Sequence, residues 1–302
     1  MEALEQFERI DELYETLVNT DWPGFGFMVA NNASVLWESW GVILPLNKGV
    51  ALIDDACISA GWLGSIAKYF FTMLAGIGQS AGSVGYHHPV LKPLVPMRMG
   101  GLDAAQAHLR VPAGTLRSSW ARHSSTRVEA RFSVPVGSAP AILGVPTGNI
   151  SSPIVTESGT TVFKSGKLAE SAAAKIGLVA ARYVTAGSSV SLEFTTTGSG
   201  AWAFEVSGSA PTAAAPVSAK AGTKASLRCP AGSRIANIPQ LTYGADGCSS
   251  GGAQFLVEQL CLLKEGCEVD VSDAEFDPTD YTCRGVPAAE RVLTATVECA
   301  AP

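Results

Sequence analysis

TRVEARFSV, residues 126–134, alternates polar with apolar side chains. The same alternation recurs in SVSLEF at residues 189–194 and in AWAFEV at residues 201–206. Successive side chains of a strand point to opposite faces of a sheet, so each stretch predicts a half-buried antiparallel strand. Gly, Pro and Ser separate these short runs, as turns require. Residues 85–208 are therefore predicted to form an antiparallel β-sandwich.

The aromatic residues of this region have two interpretations. Trp120, Trp202 and His108 suit a sugar platform, because aromatic rings match the apolar faces of a pyranose. The alternative is packing inside the sandwich, which is the commoner use of scattered aromatic side chains. We favour the packing interpretation.

The first ninety residues have the periodicity of helices. We predict a helical unit over residues 1–84, which ends before the first strand of the sandwich. Apolar residues at positions 4, 7, 10, 13 and 17 recur at helical spacing until Pro23 ends the run. A second helix is predicted over about Cys57–Ile77. It is apolar on most faces, which is typical of a helix buried on several sides.

Composition limits the classes of partner. The 302 residues are 47% hydrophobic and 16% charged, which is enough to bury the cores of two or three domains. The balance of 21 Lys and Arg against 27 Asp and Glu predicts no basic patch for a polyanion, so we expect no nucleic-acid partner.

Membrane and export signals are also absent from the sequence pattern. No apolar run reaches the roughly 20 residues that a bilayer span requires, so no membrane partner is expected. The start, MEALE, lacks the basic and apolar regions of a signal peptide. We therefore expect either an internal fragment of a secreted parent protein or a protein that is not secreted.

Trp37-Glu38-Ser39-Trp40 sets a carboxylate between two indoles. Indole faces bind pyranose rings, and a carboxylate beside them polarises water, so the motif suits one half of a glycoside-cleaving site. Such hydrolysis needs a second carboxyl group, and no other motif in the chain pairs with Glu38. The alternative interpretation is a core aromatic pair with a solvent-facing glutamate.

The stretches LVNTDWP at residues 17–23 and ASVLWESW at residues 33–40 resemble the bacterial-type α-L-rhamnosidases, glycoside hydrolase family 78. The resemblance continues through GSIAKYF at residues 64–70 and PAGTL at residues 112–116. It implies the terminal helices of an α/α six-hairpin barrel, followed by the C-terminal β-domain of that family. Two helices cannot close such a barrel, so we expect a truncated chain with uncovered apolar surface.

The same resemblance implies the roles of individual residues. Glu38 would be the general base that activates water in the inverting hydrolysis of L-rhamnose-containing glycosides, and Trp37, Trp40 and Trp62 would bind the sugar. The general acid of the family belongs to an earlier barrel motif, which we expect upstream of this chain. The Asn-His pair usual in the family is replaced near Ser59-Ala60, which favours the alternative of a non-catalytic carbohydrate-binding protein. No cofactor and no metal site is implied.

Residues 209–216, SAPTAAAP, predict a linker because they carry two prolines and little apolar bulk. Six of the seven cysteines follow this linker: Cys229, Cys248, Cys261, Cys267, Cys283 and Cys299. An even number in so short a segment predicts the disulfides of a small extracellular domain. A zinc site is the alternative, but the segment has no Cys-x-x-Cys pair and no histidine.

Residues 217–302 resemble the galactose/rhamnose-binding lectin domain first known from sea-urchin eggs. SLRC at residues 226–229, GCEV at residues 266–269 and the run that ends at Cys299 carry the resemblance. It implies a small disulfide-rich α/β domain, with bridges Cys229–Cys299 and Cys261–Cys267. Cys248 and Cys283 are left either bridged to each other or as free thiols.

The lectin resemblance also implies a sugar site for galactose or rhamnose at Tyr243, Asp277 and Arg291. Two charged partners of that family's site are replaced here, by Ala221 and Ala245. The alternative is therefore a disulfide-stabilised spacer that keeps the lectin fold without binding sugar.

Overall fold

Short helices and a hairpin form the start of the chain in this computed structural model, which describes residues 2–21, 24–37, 43–46, 49–52, 66–96, 102–186, 189–245, 248–249, 252–276, 283 and 286–301. The helices are α1 (Glu2–Gln6), α2 (Ile10–Val18), α3 (Phe25–Ala30) and α4 (Ile66–Tyr69), which continues as a π-helical turn over Phe70–Leu74. Strands β1 (Ile43–Leu46) and β2 (Gly49–Leu52) pair antiparallel. The prediction of an all-helical start is wrong for these strands, because Pro45 and Gly49 disfavour a helix.

α1 and α2 are separate helices where the periodicity predicted one. Glu8 lies between them with a φ of +52°, a left-handed conformation that ends a helix. Its carboxylate lies 2.6 Å from the Nζ atom of Lys92. Ile10 is buried whereas Phe7 is 55% exposed, so the predicted apolar stripe does not face a single core.

The second helix ends before the predicted residue Ile77, and the reason is Gly76. This glycine has a φ of +68°, and a Cβ atom on it would lie 2.0 Å from the carbonyl carbon of Lys92. Only glycine fits there. Ile77 instead begins β3 (Ile77–Gln79), so the sandwich starts at Ile77 rather than at residue 85. The predicted part of this helix over 57–65 lies outside the described residues.

The sandwich consists of a seven-stranded and a five-stranded sheet. Its other strands are β4 (Pro89–Leu91), β5 (Ala104–Val111), β6 (Gly114–Ser124), β7 (Arg127–Val134), β8 (Ile142–Pro146), β9 (Ser151–Glu157), β10 (Thr160–Lys164), β11 (Lys167–Leu168), β12 (Leu178–Ala186), β13 (Ser189–Thr196) and β14 (Gly200–Ser209), with helix α5 (Glu170–Lys175) between β11 and β12. The larger sheet has the order β11-β10-β9-β14-β7-β6-β5 and the smaller the order β12-β13-β8-β4-β3. Antiparallel pairing predominates, and β4 and β8 form a parallel pair. The predicted antiparallel sandwich is confirmed.

The inner faces of the two sheets meet in one hydrophobic core. Phe194 of β13 stacks on Phe204 of β14, with ring centroids 5.2 Å apart and an interplanar angle of 6°. Phe132 of β7 lies 6.1 Å from Phe204 within the larger sheet. All three rings are buried, so the alternating apolar positions of β7, β13 and β14 point inward.

Two tryptophans also lie in this core. Trp120 and Trp202 are 2% and 6% exposed. Their indole N–H groups donate to the carbonyl oxygens of Leu74, at 2.8 Å, and Ile176, at 3.0 Å. The packing interpretation is confirmed for both, whereas His108 lies exposed on β5.

The last unit combines small sheets with one longer helix. Its elements are β15 (Thr212–Ala213), β16 (Val217–Lys220), β17 (Lys224–Arg228), β18 (Arg234–Ala245), β19 (Cys248–Ser249), α6 (Gly252–Cys261), β20 (Gly266–Asp270), α7 (Asp273–Phe276), a 3₁₀ turn (Ala288–Glu290) and β21 (Val292–Ala300). β21 pairs with β18 on one side and with β15 and β16 on the other, while β17 pairs with β20. Part of the predicted linker over 209–216 is therefore a strand, because the edge of β21 offers hydrogen-bond partners to Thr212 and Ala213.

Three disulfides cross this unit, and they join Cys229 to Cys299, Cys261 to Cys267 and Cys248 to Cys283. The first two pairings confirm those implied by the lectin resemblance. The third decides between the two alternatives for the remaining cysteines in favour of a bridge. Their Cα–Cα distances of 5.3 to 5.6 Å are ordinary for disulfides.

Hydrogen bonds join the last unit directly to the sandwich. The Ser152 N–H donates to the carbonyl oxygen of Ala301 at 2.7 Å. Oε2 of Glu298 accepts from the side-chain amides of Asn149, at 2.6 Å, and Asn237, at 2.9 Å. One carboxylate thus bridges the sandwich and the last unit.

Charged and aromatic side chains add two further contacts to the last unit. The guanidinium carbon of Arg234 lies 4.1 Å from the ring centre of Tyr183 on β12. Burial raises the pKa of the Tyr183 hydroxyl above its ordinary value, although the charge of Arg234 acts in the opposite direction. Nη1 of Arg9, just before α2, lies 3.6 Å from Oε2 of the buried Glu258 on α6. The last unit therefore contacts both the sandwich and the N-terminal helices.

We expect loss of the Cys229–Cys299 bridge to destabilise the last unit more than loss of the Cys261–Cys267 bridge. The two bridges span sequence separations of 70 and 6 residues. Constraint of the unfolded chain predicts losses of about 4 and about 2 kcal/mol respectively. Paired cysteine-to-serine variants of the full chain, followed by hydrogen exchange of β18 and β21, measure the two losses. Equal losses, or a greater loss for the short loop, would contradict this order.

Candidate functional site

Trp37 begins the predicted hydrolytic motif and lies in a small apolar cluster. Its ring is 4% exposed and meets Phe27 of α3 edge to face, with centroids 6.1 Å apart and an interplanar angle of 78°. Met28 packs in the same cluster. Protein side chains therefore cover the indole that was predicted to bind sugar, and the chain is anchored one position before Glu38.

The other residues of the predicted hydrolytic site are Glu38, Trp40 and Trp62, and all three lie outside the described residues. Asp277 of the predicted lectin site does so as well. Their roles stay predictions.

An open apolar groove of about 520 Å³ lies beside the Trp37 cluster. Residues of α2, α3, the segment after α3, α4 and the π-helical turn line it: Tyr14, Leu17, Phe25, Met28, Val29, Ala33, Ser34, Val35, Leu36, Ile66, Phe70 and Leu74. Val29 is 74% exposed and Phe70 is 45% exposed. Large patches of exposed apolar side chains mark sites that bind other proteins, membranes or ligands.

An ion pair joins α1 to α4 in this N-terminal unit. Nζ of Lys68 lies 2.5 Å from Oε2 of Glu5. Burial alone raises the pKa of Glu5, but the hydrogen bonds of Lys68 and Thr72 and the positive charge of Lys68 outweigh it, so the pKa lies below its ordinary value. Glu5 is therefore ionised and its charge is used to hold the two helices together.

Tyr243 and Arg291, predicted to bind sugar, are both buried in the last unit. Tyr243 is 0% exposed and meets Phe276 edge to face at 5.0 Å. Arg291 is 3% exposed, and its Nη2 donates to the carbonyl oxygens of Cys283, at 3.0 Å, and Val286, at 2.9 Å. Both side chains serve the internal packing of this unit.

The structure also brings together polar residues that the sequence reasoning did not connect. Two adjoining cavities, of about 500 and 590 Å³, open on the outer face of the larger sheet. Both are lined by Gln106, Ser119 and Arg131, and the larger also by His108 and Arg117. Glu129 also lines the smaller cavity, and its Oε2 atom lies 3.6 Å from Nη2 of Arg131. The outward positions of β5, β6 and β7 carry the signal that would have revealed this group of polar residues.

Two further kinds of feature are absent from the described residues. No group of three His, Cys, Asp or Glu side chains in the described ranges could hold a metal ion. Among the same residues, no helix is long and apolar enough to cross a bilayer.

Comparison with known proteins relates the middle of the chain to one enzyme family. Residues 76–152 match the family model of the bacterial alpha-L-rhamnosidase C-terminal domain. The match begins at Gly76, where the N-terminal helices end, and runs through strands of both sheets. The alpha-L-rhamnosidase of Formosa agariphila is 25% identical over 179 residues, which are 59% of this chain and 18% of that protein. The chain thus spans about a fifth of the length of this relative.

Two solved structures are also similar to the chain. The alpha-L-rhamnosidase from Dictyoglumus thermophilum superposes with a TM-score of 0.49 and 20% identity, over 68% of this chain and 20% of that one. The native enzyme from Aspergillus terreus gives a TM-score of 0.41 and 18% identity, over 48% of this chain and 16% of that one.

We expect the pKa of Glu5 to rise in a Lys68→Met variant. The substitution removes the hydrogen bond and the charge of Lys68, which lower this pKa, while the burial that raises it and the Thr72 hydrogen bond that lowers it both remain. Carboxyl ¹³C chemical shifts followed through a pH titration measure the change. Lys175→Met, at the exposed end of α5, is the matched control and leaves the pKa unchanged.

The same ion pair has a pH dependence with a defined sign. The pKa of Glu5 is lower in the folded chain than in the unfolded chain, so its contribution to stability is present above the unfolded pKa. That contribution is lost as the pH falls through the folded pKa. An unchanged or lower pKa of Glu5 in Lys68→Met would contradict the role of Lys68.

Proposed function

We propose that this chain is the C-terminal part of an α-L-rhamnosidase that hydrolyses terminal α-L-rhamnosides with inversion. The observation that carries the proposal is the match of residues 76–152 to the C-terminal domain model of bacterial α-L-rhamnosidases. The Trp37-Glu38-Ser39-Trp40 motif precedes that match on the same chain. Similarity over 179 residues to a protein named alpha-L-rhamnosidase supports the same assignment.

The N-terminal helices are, on this proposal, the last helices of an α/α six-hairpin barrel. The apolar groove beside Trp37 and the exposed side chains of Val29 and Phe70 support it, because further barrel helices would cover them. We place those helices elsewhere in the parent protein. The chain alone is then not expected to hydrolyse a glycoside.

Glu38 acts in this proposal as the general base. Inverting hydrolysis uses two carboxyl groups about 6.5–9.5 Å apart, which leaves room for a water molecule between the base and the sugar. Glu38 takes a proton from that water as its oxygen attacks the anomeric carbon, and a second carboxylic acid protonates the leaving oxygen. Trp40 and Trp62 offer faces to the ring, while the buried Trp37 anchors the segment instead.

The last unit is proposed to be a lectin-like domain of a secreted parent protein. Its three disulfides support an oxidising, extracellular environment. The burial of Tyr243 and Arg291 favours a stabilising unit over one that binds galactose or rhamnose through these side chains. A non-catalytic carbohydrate-binding protein is the second candidate function, and Ser59-Ala60 favours it because the family usually has Asn-His there.

The test of the enzyme assignment is the Glu38→Gln substitution in the full-length parent protein. Loss of a general base is expected to lower kcat by about 10²- to 10⁴-fold on an aryl α-L-rhamnoside. Glu15→Gln, an exposed carboxylate on α2, is the matched control and keeps full activity. The first product seen by ¹H NMR is expected to be the β-anomer of L-rhamnose.

Near-wild-type turnover by Glu38→Gln would remove this residue from the mechanism. Absence of hydrolysis by the full-length wild-type protein would instead favour the second candidate, a carbohydrate-binding protein.

For the last unit, we expect no dependence of sugar binding on the Tyr243 hydroxyl, because this side chain is fully buried. Titration calorimetry measures the binding of L-rhamnose and of D-galactose to the wild-type chain and to the Tyr243→Phe variant. A binding heat that is present in the wild type and lost in Tyr243→Phe would restore the predicted lectin site.

A further inference from the structure

The sequence contains two tripeptides of the pattern Asn-x-Ser, which are Asn32-Ala33-Ser34 and Asn149-Ile150-Ser151. This pattern is the acceptor for N-linked glycosylation in secreted proteins when the middle residue is not proline. The pattern by itself does not distinguish the two tripeptides. The structure does, because it places their side chains in opposite environments.

Asn32 lies in the turn that ends α3. Its φ of +57° is left-handed, and its N–H donates to the carbonyl oxygen of Val29 at 3.0 Å. Asparagine adopts this conformation more readily than most residues other than glycine, and it ends helices for that reason. The backbone of Asn32 therefore closes the helix, while the residue itself is exposed to solvent.

The two side chains that the acceptor reaction uses are both available at this turn. The sugar is joined to Nδ2 of the asparagine, and the reaction also requires the hydroxyl group of the residue two positions further on. Asn32 and Ser34 are both exposed. Neither side chain forms a hydrogen bond or an ion pair with another residue that the structure describes.

The side chains of the second tripeptide are instead used inside the protein. Nδ2 of Asn149 donates to Oε2 of Glu298 at 2.6 Å, and Oγ of Ser151 accepts from the N–H of Ala301 at 2.8 Å. Ile150 between them is 2% exposed. These hydrogen bonds join the sandwich to the last unit, so a sugar on Asn149 would disturb that contact.

The apolar groove beside Trp37 does not conflict with a sugar on Asn32. Ala33, Ser34 and Val35 line that groove, whereas Asn32 does not. A glycan on Asn32 therefore leaves the lining of the groove unchanged.

The disulfides of the last unit bear on the compartment in which the chain folds. Three disulfides indicate an oxidising environment, and the lumen of the endoplasmic reticulum is one such environment. N-linked glycans are added in that lumen. The modification therefore rests on the secreted parent protein proposed above, and it does not rest on the role of Glu38.

We propose that Asn32 carries an N-linked glycan in the secreted parent protein and that Asn149 does not. Nδ2 of Asn32 attacks the anomeric carbon of a lipid-pyrophosphate-linked oligosaccharide. A carbon–nitrogen bond forms, the bond from that carbon to the pyrophosphate oxygen breaks, and the lipid pyrophosphate leaves with the electron pair. The amide nitrogen loses one proton to the transferase, and no group of this chain is oxidised or reduced.

The test is a peptide map of the parent protein purified from its source. Peptide N-glycosidase in ¹⁸O-labelled water converts a glycosylated asparagine to a labelled aspartate, which mass spectrometry detects. We expect the label at Asn32 and no label at Asn149.

The matched variants are Ser34→Ala and Ser34→Thr of the parent protein secreted from insect cells. Ser34→Ala removes the acceptor pattern but keeps Asn32, so we expect complete loss of the glycan. Ser34→Thr keeps the pattern and is the control, with the glycan retained. Ser151→Ala is expected to leave the glycan content unchanged, because Asn149 is not modified.

An unlabelled Asn32, a labelled Asn149, or a glycan on Ser34→Ala would each overturn the proposal. The same digest, run without reduction, shows which cysteine peptides are joined. Intact disulfides with an unmodified Asn32 would remove the glycan and leave the secreted parent standing, whereas reduced cysteines with an unmodified Asn32 would remove both. The Glu38→Gln experiment is independent of either result.

Discussion

The stacking of Phe194 on Phe204 holds the two sheets of the sandwich together, and the other units are built onto that core. Full burial of each ring contributes about 1.5–3 kcal/mol, and the flat stacking also fixes the spacing of the sheets. Trp120 extends the same core to the N-terminal helices, because its indole donates to the carbonyl oxygen of Leu74. Ser118 donates to the carbonyl oxygen of Ala75 at 2.5 Å. The end of the helical unit is thus positioned by the sandwich.

The last unit contacts both the sandwich and the N-terminal segment, so more than the predicted linker holds it to the rest of the chain. Glu298 receives hydrogen bonds from Asn149 of the sandwich and Asn237 of its own unit, and Arg9 approaches Glu258 from the N-terminal segment. These contacts orient the last unit relative to the rest. They fit a domain that stabilises its neighbours better than one that moves independently to find a sugar.

The sequence predicted features that depend on local patterns, but it did not predict features that depend on long-range contacts. Alternation along β7 predicted its buried face because the period of a strand is a local property. The break at Glu8 was not predicted, since its Lys92 partner lies far along the chain. Thr212 and Ala213 read as linker residues for the same reason, because the edge of β21 that pairs with them is remote in sequence.

By itself, the sequence determined the sandwich, the three-unit order and a cysteine-rich last unit, since alternation, glycine and proline positions and cysteine counts act over short distances. The burial of Trp37, Tyr243 and Arg291 was decided only by the tertiary structure, because a motif names a residue but not its neighbours. The grouping of Arg117 with Arg131 was decided there too. Composition averages charge over the whole chain, whereas strand register places particular charges side by side.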